Sequence, residues 1–233
     1  GDSALSSNTT GQQNTAIGRV TLFSNIAGIC NTAVGHNALT TNTCCFNTAV
    51  GNEALRLNTT GQNNTAIGVC SLTSNTTASN NTAVGYSSLL ANTTGANNVA
   101  VGLNSMGSNT TGSDNTSTGV ESLVSATTAA SNAAFGRQAM CKTTTGANNT
   151  AAGAFALCAN TTGACNVAVG KDSLKENTTA NNNTAVGLCA LTVNTTGAEN
   201  TSVGRKSLVA NTTGGCNVAV GVNALFSNTT ASH

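Results

Sequence analysis

Two groups of residues in this sequence could do chemistry. Nine of the 233 residues are cysteines, which can form disulfides, bind metals or act as nucleophiles. Asn-Thr-Thr tripeptides, which match the acceptor sequence for N-glycosylation, recur along the whole chain. The Asn residues of these tripeptides are Asn8, Asn58, Asn75, Asn92, Asn109, Asn160, Asn177, Asn194, Asn211 and Asn228.

The remaining reactive residues do not form a catalytic set. The chain has two His residues, His36 and His233, and seven carboxylates. Glu53, Glu121 and Asp172 are several repeats apart, too far for a general acid and base that act as a pair. No Ser-His-Asp pattern, phosphate-binding loop or His/Cys metal spacing is present in the sequence. We therefore predict no enzymatic activity, no cofactor and no metal site.

Composition and charge argue against two further classes of protein. Charged residues make up 6% of the chain, whereas an ordinary domain has about 25%. A net charge of +1 gives no electrostatic basis for binding nucleic acid. The sequence also lacks an apolar run of ~18 residues that could cross a bilayer. We predict neither nucleic-acid binding nor membrane insertion.

The elements that position these residues are copies of one 17-residue unit, exemplified by Asn92–Ser108. Self-similarity at a short, fixed period is typical of a solenoid. We number the positions of the repeat from one to seventeen, with Asn92 at position one, and we predict a single repeat array over residues 1–233. The repeats start at residues 8, 25, 42, 58, 75, 92, 109, 126, 143, 160, 177, 194, 211 and 228, with a shortened interval of 16 residues after residue 42.

The length and composition of the repeat favour strands over helices. A helical repeat needs two helices, and 17 residues rich in Asn, Thr and Gly are too few for that. Each repeat offers one extended segment at Asn-Thr-Ala-Val and a second around Ala-Leu-x-x-Asn-Thr. Gly at positions four and eleven suits the corners, where a positive φ costs little. The sequence predicts an all-β parallel β-solenoid of about 13 coils.

Position seven is Asn in every complete repeat, and position eleven is Gly. Equivalent residues of a parallel solenoid lie directly above one another. An Asn amide can therefore donate to and accept from its copies in the adjacent coils. We predict a structural Asn ladder at Asn14, Asn31, Asn47, Asn64, Asn81, Asn98, Asn115, Asn132, Asn149, Asn166, Asn183, Asn200 and Asn217.

The small core predicts association between chains. Each coil can bury about one Val, one Leu or Met and two small residues, too little to offset the entropy of ordering the repeat. Position ten, for example Ile17 and Val34, points opposite to the Ala at position nine. One apolar face would point inward and the other toward a partner chain. We expect a homo-oligomer or an end-to-end filament.

The repeat also suggests cysteine pairs. Cys141 and Cys158 share position sixteen of neighbouring coils, where stacking at ~5 Å suits a disulfide. Cys30 and either Cys44 or Cys45 fall on facing turns at the shortened repeat and form a second candidate pair. Disulfides would indicate a location outside the reducing cytosol, whereas small buried thiols are the alternative. Four cysteines lack a neighbour at the same position and are either free or bonded between chains: Cys70, Cys165, Cys189 and Cys216.

The sequence does not decide two surface properties, glycosylation and ice binding. The Asn-Thr-Thr tripeptides either carry glycans along one edge or are turn residues whose side chains satisfy backbone groups. Thr at positions two, three and eight could form stacked rows that bind ice. Against ice binding, Thr-Thr is adjacent rather than alternating, and position eight is interrupted by Val99, Ala133, Val167 and Val218.

The segment NTAVG-x-x-AL, as in Asn31–Leu39 and Asn81–Leu89, resembles the Asn-Ser-Val-Ala-Ile-Gly repeat in the head domains of trimeric autotransporter adhesins. The whole unit is also similar to repeats of phage and bacterial tail-fibre-like proteins. The resemblance covers residues 3–230 and implies a parallel trimer of left-handed β-rolls. This sequence departs from the adhesin pattern in its 17-residue period and its nine cysteines, and it shows no stalk, anchor or chaperone domain.

These observations predict a non-enzymatic structural rod segment of a fibre with an adhesive role, located outside the cell, on the cell surface or on a virion. A host-surface or glycan ligand would contact the variable positions twelve, thirteen, sixteen and seventeen, which include Arg19, Tyr86 and Phe155. The alternative functions are an ice-binding solenoid and a heavily glycosylated filament protein.

Overall fold

The computed structural model describes residues 1–232 as parallel β-solenoids in two units, Gly1–Asp114 and Asn115–His233. Each turn of either solenoid contains one copy of the repeat, so the predicted all-β fold class and the period are confirmed. The described residues include no helix, and therefore none that is long and apolar enough to cross a membrane.

In the first unit, six three-residue strands pair in parallel and in sequence order. Strand pairing aligns equal repeat positions, so that Ala33 lies between Ala16 and Ala49. The strands are β1 (Thr15–Ile17), β2 (Thr32–Val34), β3 (Thr48–Val50), β4 (Thr65–Ile67), β5 (Thr82–Val84) and β6 (Val99–Val101).

In the second unit, seven strands follow the same rule, and Ala168 pairs with Ala151 and Ala185. The strands are β7 (Thr116–Thr118), β8 (Ala133–Phe135), β9 (Thr150–Ala152), β10 (Val167–Val169), β11 (Thr184–Val186), β12 (Thr201–Val203) and β13 (Val218–Val220).

Only the first of the two predicted extended segments is a strand. The second, around position fifteen, is a series of turns, for example over residues 103–108. It cannot be extended because Ser87 and Leu89 have φ angles of 53° and 51°, in the left-handed region. The turns are nevertheless stacked: Leu89 N–H donates to Ser105 O at 3.0 Å, and Ser87 N–H donates to Val69 O at 3.0 Å. Hydrogen bonds between coils therefore continue outside the strands.

The core of each coil contains one large side chain, the Leu or Met at position fifteen, except in the last complete repeat, where Leu225 is 48% exposed. Ala or Ser at positions nine and fourteen and Asn at positions one and seven pack around it. Side chains at positions eight and ten point outward, because residues alternate between the two faces of a strand. The predicted buried Val is therefore not part of the core. The buried large side chains are Leu22, Leu39, Leu55, Leu72, Leu89, Met106, Leu123, Met140, Leu157, Leu174, Leu191 and Leu208.

Glycine is found at positions four and eleven of the repeat for different reasons. At position eleven, Gly85 has a φ of +131°, and a Cβ there would lie 2.6 Å from Gly102 O, so both conformation and space require glycine. At position four, Gly95 does not have a positive φ, and Ala78 and Ala180 occupy the equivalent site. The prediction of a positive-φ corner at position four was wrong, because that turn takes its left-handed residue at position six, as in Asn97 with φ 59°.

Candidate functional site

The Asn residues at position seven connect each coil to the next mainly through backbone groups. Asn81 Oδ1 accepts from Asn98 N–H at 2.9 Å, and Asn81 Nδ2 donates to Gly95 O at 2.9 Å. Direct contacts between amides occur in some coils only, such as Asn149 Nδ2 to Asn132 Oδ1 at 3.2 Å. The side chain thus satisfies a donor and an acceptor of the neighbouring coil, which is a structural role.

An amide-to-amide ladder that runs through most of the regular repeats is found instead at position one. Asn75 Nδ2 donates to Asn58 Oδ1 at 2.8 Å, and Asn92 Nδ2 donates to Asn75 Oδ1 at 2.9 Å. The second proton of Asn92 Nδ2 goes to Gly95 O at 2.9 Å. These Asn side chains are completely buried. We call the Asn residues at position one the inner Asn ladder. Its signal in the sequence is that Ala126 and Thr143, two small residues suited to an interior position, replace Asn in two repeats.

The inner Asn ladder favours the alternative in which the Asn-Thr-Thr tripeptides are turn residues over the one in which they carry glycans. Nδ2 is the atom that a glycan would modify, and in this ladder it is buried and donates two hydrogen bonds. A sugar at this atom would break both hydrogen bonds and push apart neighbouring coils. Asn8 and Asn228 are partly buried and belong to the same ladder. The completely buried candidates are Asn58, Asn75, Asn92, Asn109, Asn160, Asn177, Asn194 and Asn211.

Irregular repeats interrupt the ladder. Asn25 Oδ1 is buried without a hydrogen-bond partner: Asn42 Nδ2, in the shortened repeat, makes the own-turn bond to Cys44 O at 2.8 Å but does not donate to Asn25. Asn109 Oδ1 is also unpartnered, and the next repeat in the sequence has Ala126 at position one. Each interruption leaves a buried acceptor unsatisfied, which costs stability.

The Thr positions have distinct environments. At position two, Thr93 Oγ1 donates to Thr110 O at 3.0 Å, so this hydroxyl connects neighbouring coils. At position three the Thr side chains are exposed. In the second unit this exposed row has no interruption; it consists of Thr128, Thr145, Thr162, Thr179, Thr196, Thr213 and Thr230.

The outward face of the strands is built from positions eight and ten, and we call it the outer strand face. It contains no charged residue in any repeat. Most of its side chains are β-branched, as in Thr82 and Val84, and they are half-buried or exposed. Several are largely exposed, including Ile17 at 60%. The outer strand face is therefore an uncharged, mostly apolar surface that the chain itself does not cover.

Two of the cysteines form a disulfide, and the other seven are free thiols. Cys141 and Cys158 form a disulfide between neighbouring coils with their Cα atoms 4.9 Å apart, as predicted. Cys30 is bonded to neither Cys44 nor Cys45. The shortened repeat lacks one residue in its first turn, which leaves Cys44 at position four and Cys45 at position five. Cys30 lies at position six, and its Sγ donates to Gln13 Oε1 at 2.9 Å.

Two free thiols have shifted acidities. Burial raises the pKa of the Cys44 thiol, because the buried thiolate loses hydration. The Cys216 thiol donates to Glu199 Oε2 at 3.5 Å, and this hydrogen bond to a carboxylate raises the pKa of Cys216. At neutral pH both thiols are therefore in the unreactive, protonated form.

The acidic side chains considered in the sequence each have a separate partner. Glu53 pairs with Arg56 at 3.6 Å, and Glu121 accepts from Gln138 Nε2 at 2.6 Å. Asp172 pairs with Lys175 at 3.7 Å. Within the part of the chain that the structure describes, no cavity and no group of three metal-binding side chains is found. His233 lies outside the described residues.

Comparisons of the chain with protein-family models, with curated proteins and with solved structures found no match. The class that the fold defines is a repeat protein of the parallel β-solenoid type. The resemblance to adhesin and tail-fibre repeats remains a prediction from the sequence.

Proposed function

We propose that this chain is a structural segment of a fibre outside the cell or on a virion, and that it assembles with further copies of itself through the outer strand face. No catalysis enters this proposal. The observation that carries it is the uncharged row of β-branched side chains along positions eight and ten. Folded soluble chains seldom leave a contiguous apolar surface uncovered.

A second copy of the chain is the occupant that best fits this face. Its side chains recur in register at the spacing of the coils, as in the pairing of Val84 with Val101. Another copy offers the same spacing, so that rows of one chain can pack between rows of the other along the whole contact. A partner with a different repeat would lose this match after a few coils. We favour a parallel trimer of left-handed coils, as the resemblance implies.

The disulfide supports a location outside the cytosol. Cys141 and Cys158 are bonded between neighbouring coils, and such bonds persist in oxidising compartments. A bond between coils also adds mechanical resistance to separation of the stack, which suits a fibre.

Light scattering of the full chain tests the assembly. We expect a mass of about three times 22.8 kDa. Lys in place of Val84 and Val101 should give monomers, because it places charges in an apolar contact. Lys in place of Thr77 and Thr94, at the exposed position three, is the matched control and should leave the mass unchanged. A monomeric parent chain, or equal dissociation of both variants with an intact circular dichroism spectrum, would refute assembly through the outer strand face.

Ice binding is a second candidate, favoured by the uninterrupted row of exposed Thr at position three of the second unit. The row presents methyl and hydroxyl groups at a regular spacing, between Thr128 and Thr230. Thermal hysteresis of the full chain tests this function. Lys in place of Thr162 and Thr179 should abolish hysteresis if the row contacts ice, and absence of hysteresis in the parent chain would remove this candidate.

A further inference from the structure

We infer that the second unit has a binding edge for a linear acidic polysaccharide with about one carboxylate for every two sugars. The edge consists of positions twelve, thirteen and sixteen, and its central residues are Arg137, Lys171, Arg205 and Phe155. This binding edge is separate from the outer strand face and does not depend on self-association.

The first observation is a periodic row of cations. Arg137, Lys171 and Arg205 all occupy position twelve, in every second coil, and their side chains are exposed. The intervening residues at this position, Ala154 and Leu188, are uncharged. Hydrogen bonds connect this position from coil to coil, because the N–H of position thirteen donates to the position-twelve carbonyl of the preceding coil. Phe155 N–H donates to Arg137 O at 3.0 Å, and Asp172 N–H donates to Ala154 O at 3.1 Å. The cations therefore lie in one line along the unit.

The second observation is that much of this charge is not neutralised within the chain. Among residues 1–232, no ion pair involves Arg137, Arg205 or Lys206. Lys171 is 3.9 Å from Asp172, but its side chain is 63% exposed, and such a surface pair contributes little. Lys175 also contacts Asp172, at 3.7 Å. The edge thus keeps free cations for an external anion.

The third observation is an aromatic ring between two cations. The Phe155 ring lies 5.4 Å from Arg137 Cζ and 5.8 Å from Lys175 Nζ, measured to the ring centroid. The ring is half-buried, and its contacts hold the Arg137 guanidinium and the Lys175 ammonium on one stretch of the edge, where both can bind a carboxylate.

The spacing of the row selects the charge density of the ligand. Neighbouring coils are 4.9 Å apart, as measured between the Cα atoms of Cys141 and Cys158. Cations in every second coil are therefore separated by about 10 Å. Nucleic acid has a phosphate every ~3.4 Å along each strand, so this row would neutralise only about one phosphate in three. A polysaccharide with a carboxylate on alternate sugars has its charges at a comparably wide interval.

The first unit serves as an internal comparison. Its position twelve holds Arg19, His36, Asn52, Val69, Tyr86 and Leu103. Arg19 is the single permanent cation of this row, and it pairs with Asp2 at 3.6 Å. The periodic row of cations is thus a property of the second unit and not of the repeat.

Titration of the full chain with hyaluronan fragments, which have one carboxylate per disaccharide, tests the inference. We expect binding that weakens with added salt, and no binding to neutral dextran. Gln in place of Arg137, Lys171 and Arg205 should weaken hyaluronan binding about tenfold or more. The matched control replaces Arg19, Arg56 and Lys142 by Gln, which changes the net charge equally, and it should bind as the parent does.

Phe155→Ala gives an independent readout. It should weaken hyaluronan binding severalfold without changing the salt dependence, because the placement of Arg137 and Lys175 is lost while every charge is kept. An equal loss in both triple variants, or an unchanged affinity of Phe155→Ala, would overturn the binding edge. Absence of hyaluronan binding, or tighter binding to duplex DNA or phosphatidylserine vesicles at the same salt, would also overturn it. The oligomeric mass tests the proposed assembly separately.

Discussion

Asn92 Nδ2 donates a hydrogen bond to Asn75 Oδ1 at 2.9 Å, and both side chains are completely buried. Each amide of this inner Asn ladder uses its second proton for a carbonyl of its own turn, as Asn75 does with Ala78 O at 3.0 Å. The ladder therefore closes the turn within a coil and connects that coil to its neighbour. This double use explains why position one is nearly always Asn.

Replacing one Asn of the inner Asn ladder by Asp keeps the shape of the side chain but removes its hydrogen-bond donor, and it should strongly lower the free energy of unfolding. Asn75→Asp would place a carboxylate oxygen opposite Asn58 Oδ1 and Ala78 O, where the amide now donates to both. We expect a loss of about 3 kcal/mol or more in the free energy of unfolding at neutral pH. Burial would raise the pKa of the new carboxyl above its unfolded value, so the loss should shrink as the pH falls through the folded pKa.

Asn52→Asp is the matched control, because Asn52 is exposed at position twelve. It should change the free energy of unfolding by less than about 0.5 kcal/mol. Denaturant unfolding, followed by circular dichroism at several pH values, measures both variants. Similar stabilities for the two would show that the inner Asn ladder is not an important source of stability.

The sequence predicted the fold because the repeat register is visible without structure. Once Asn81 and Asn98 are aligned, parallel stacking follows, and with it the alternation that places Ala100 inside the coil. The disulfide between Cys141 and Cys158 followed from the same alignment. These features depend only on equivalent residues lying above one another.

The parts that the sequence left open or placed wrongly depend on side-chain direction and local backbone conformation. The sequence did not decide whether Asn92 carries a glycan or is a turn residue, because Asn-Thr-Thr is polar throughout; in the structure its amide is buried and bonds to its own copies. Leu89 adopts a left-handed φ of 51°, which no propensity favours for Leu. Its burial as the large core side chain outweighs that conformational cost. Neither result could be obtained from one repeat considered alone.

The glycine at position eleven should tolerate no side chain. In Gly85→Ala the new Cβ would lie 2.6 Å from Gly102 O, and the φ of +131° is strained for any L-residue. We expect a loss of about 2 kcal/mol or more. Gly215→Ala at position five is the control: Gly215 has no positive φ, the nearest atom to a new Cβ is Ala198 O at 3.0 Å, and Ala96 and Ala164 already occupy the equivalent position. Thermal unfolding of both variants should show the larger loss for Gly85→Ala, and the reverse order would contradict the assigned roles.

The disulfide predicts the number of reactive thiols. Alkylation of the unfolded, unreduced chain should label seven cysteines, and reduction should increase the number to nine. Because the bond closes a loop of 17 residues, replacing Cys141 and Cys158 by Ser should cost about 3 kcal/mol of stability. Cys70→Ser, which alters a free thiol, should have a much smaller effect. Labelling of all nine cysteines without reduction would exclude the bond.

The contact between Cys216 and Glu199 predicts that the Cys216 thiol is alkylated slowly and at a rate that depends on pH. The hydrogen bond to the carboxylate raises the pKa of Cys216, so at neutral pH less thiolate is present and alkylation is slower. Glu199→Gln removes the charge that opposes ionisation and should speed alkylation of Cys216 a few-fold at neutral pH. The difference should vanish at a pH above the Cys216 pKa of both the parent and the variant, where the thiol is fully ionised.

Glu176→Gln is the control: it removes an equal charge at position seventeen and should leave the rate of Cys216 alkylation unchanged. Peptide-resolved mass spectrometry of timed alkylation measures each rate, and equal rates for the parent and Glu199→Gln across the pH range would disprove the coupling.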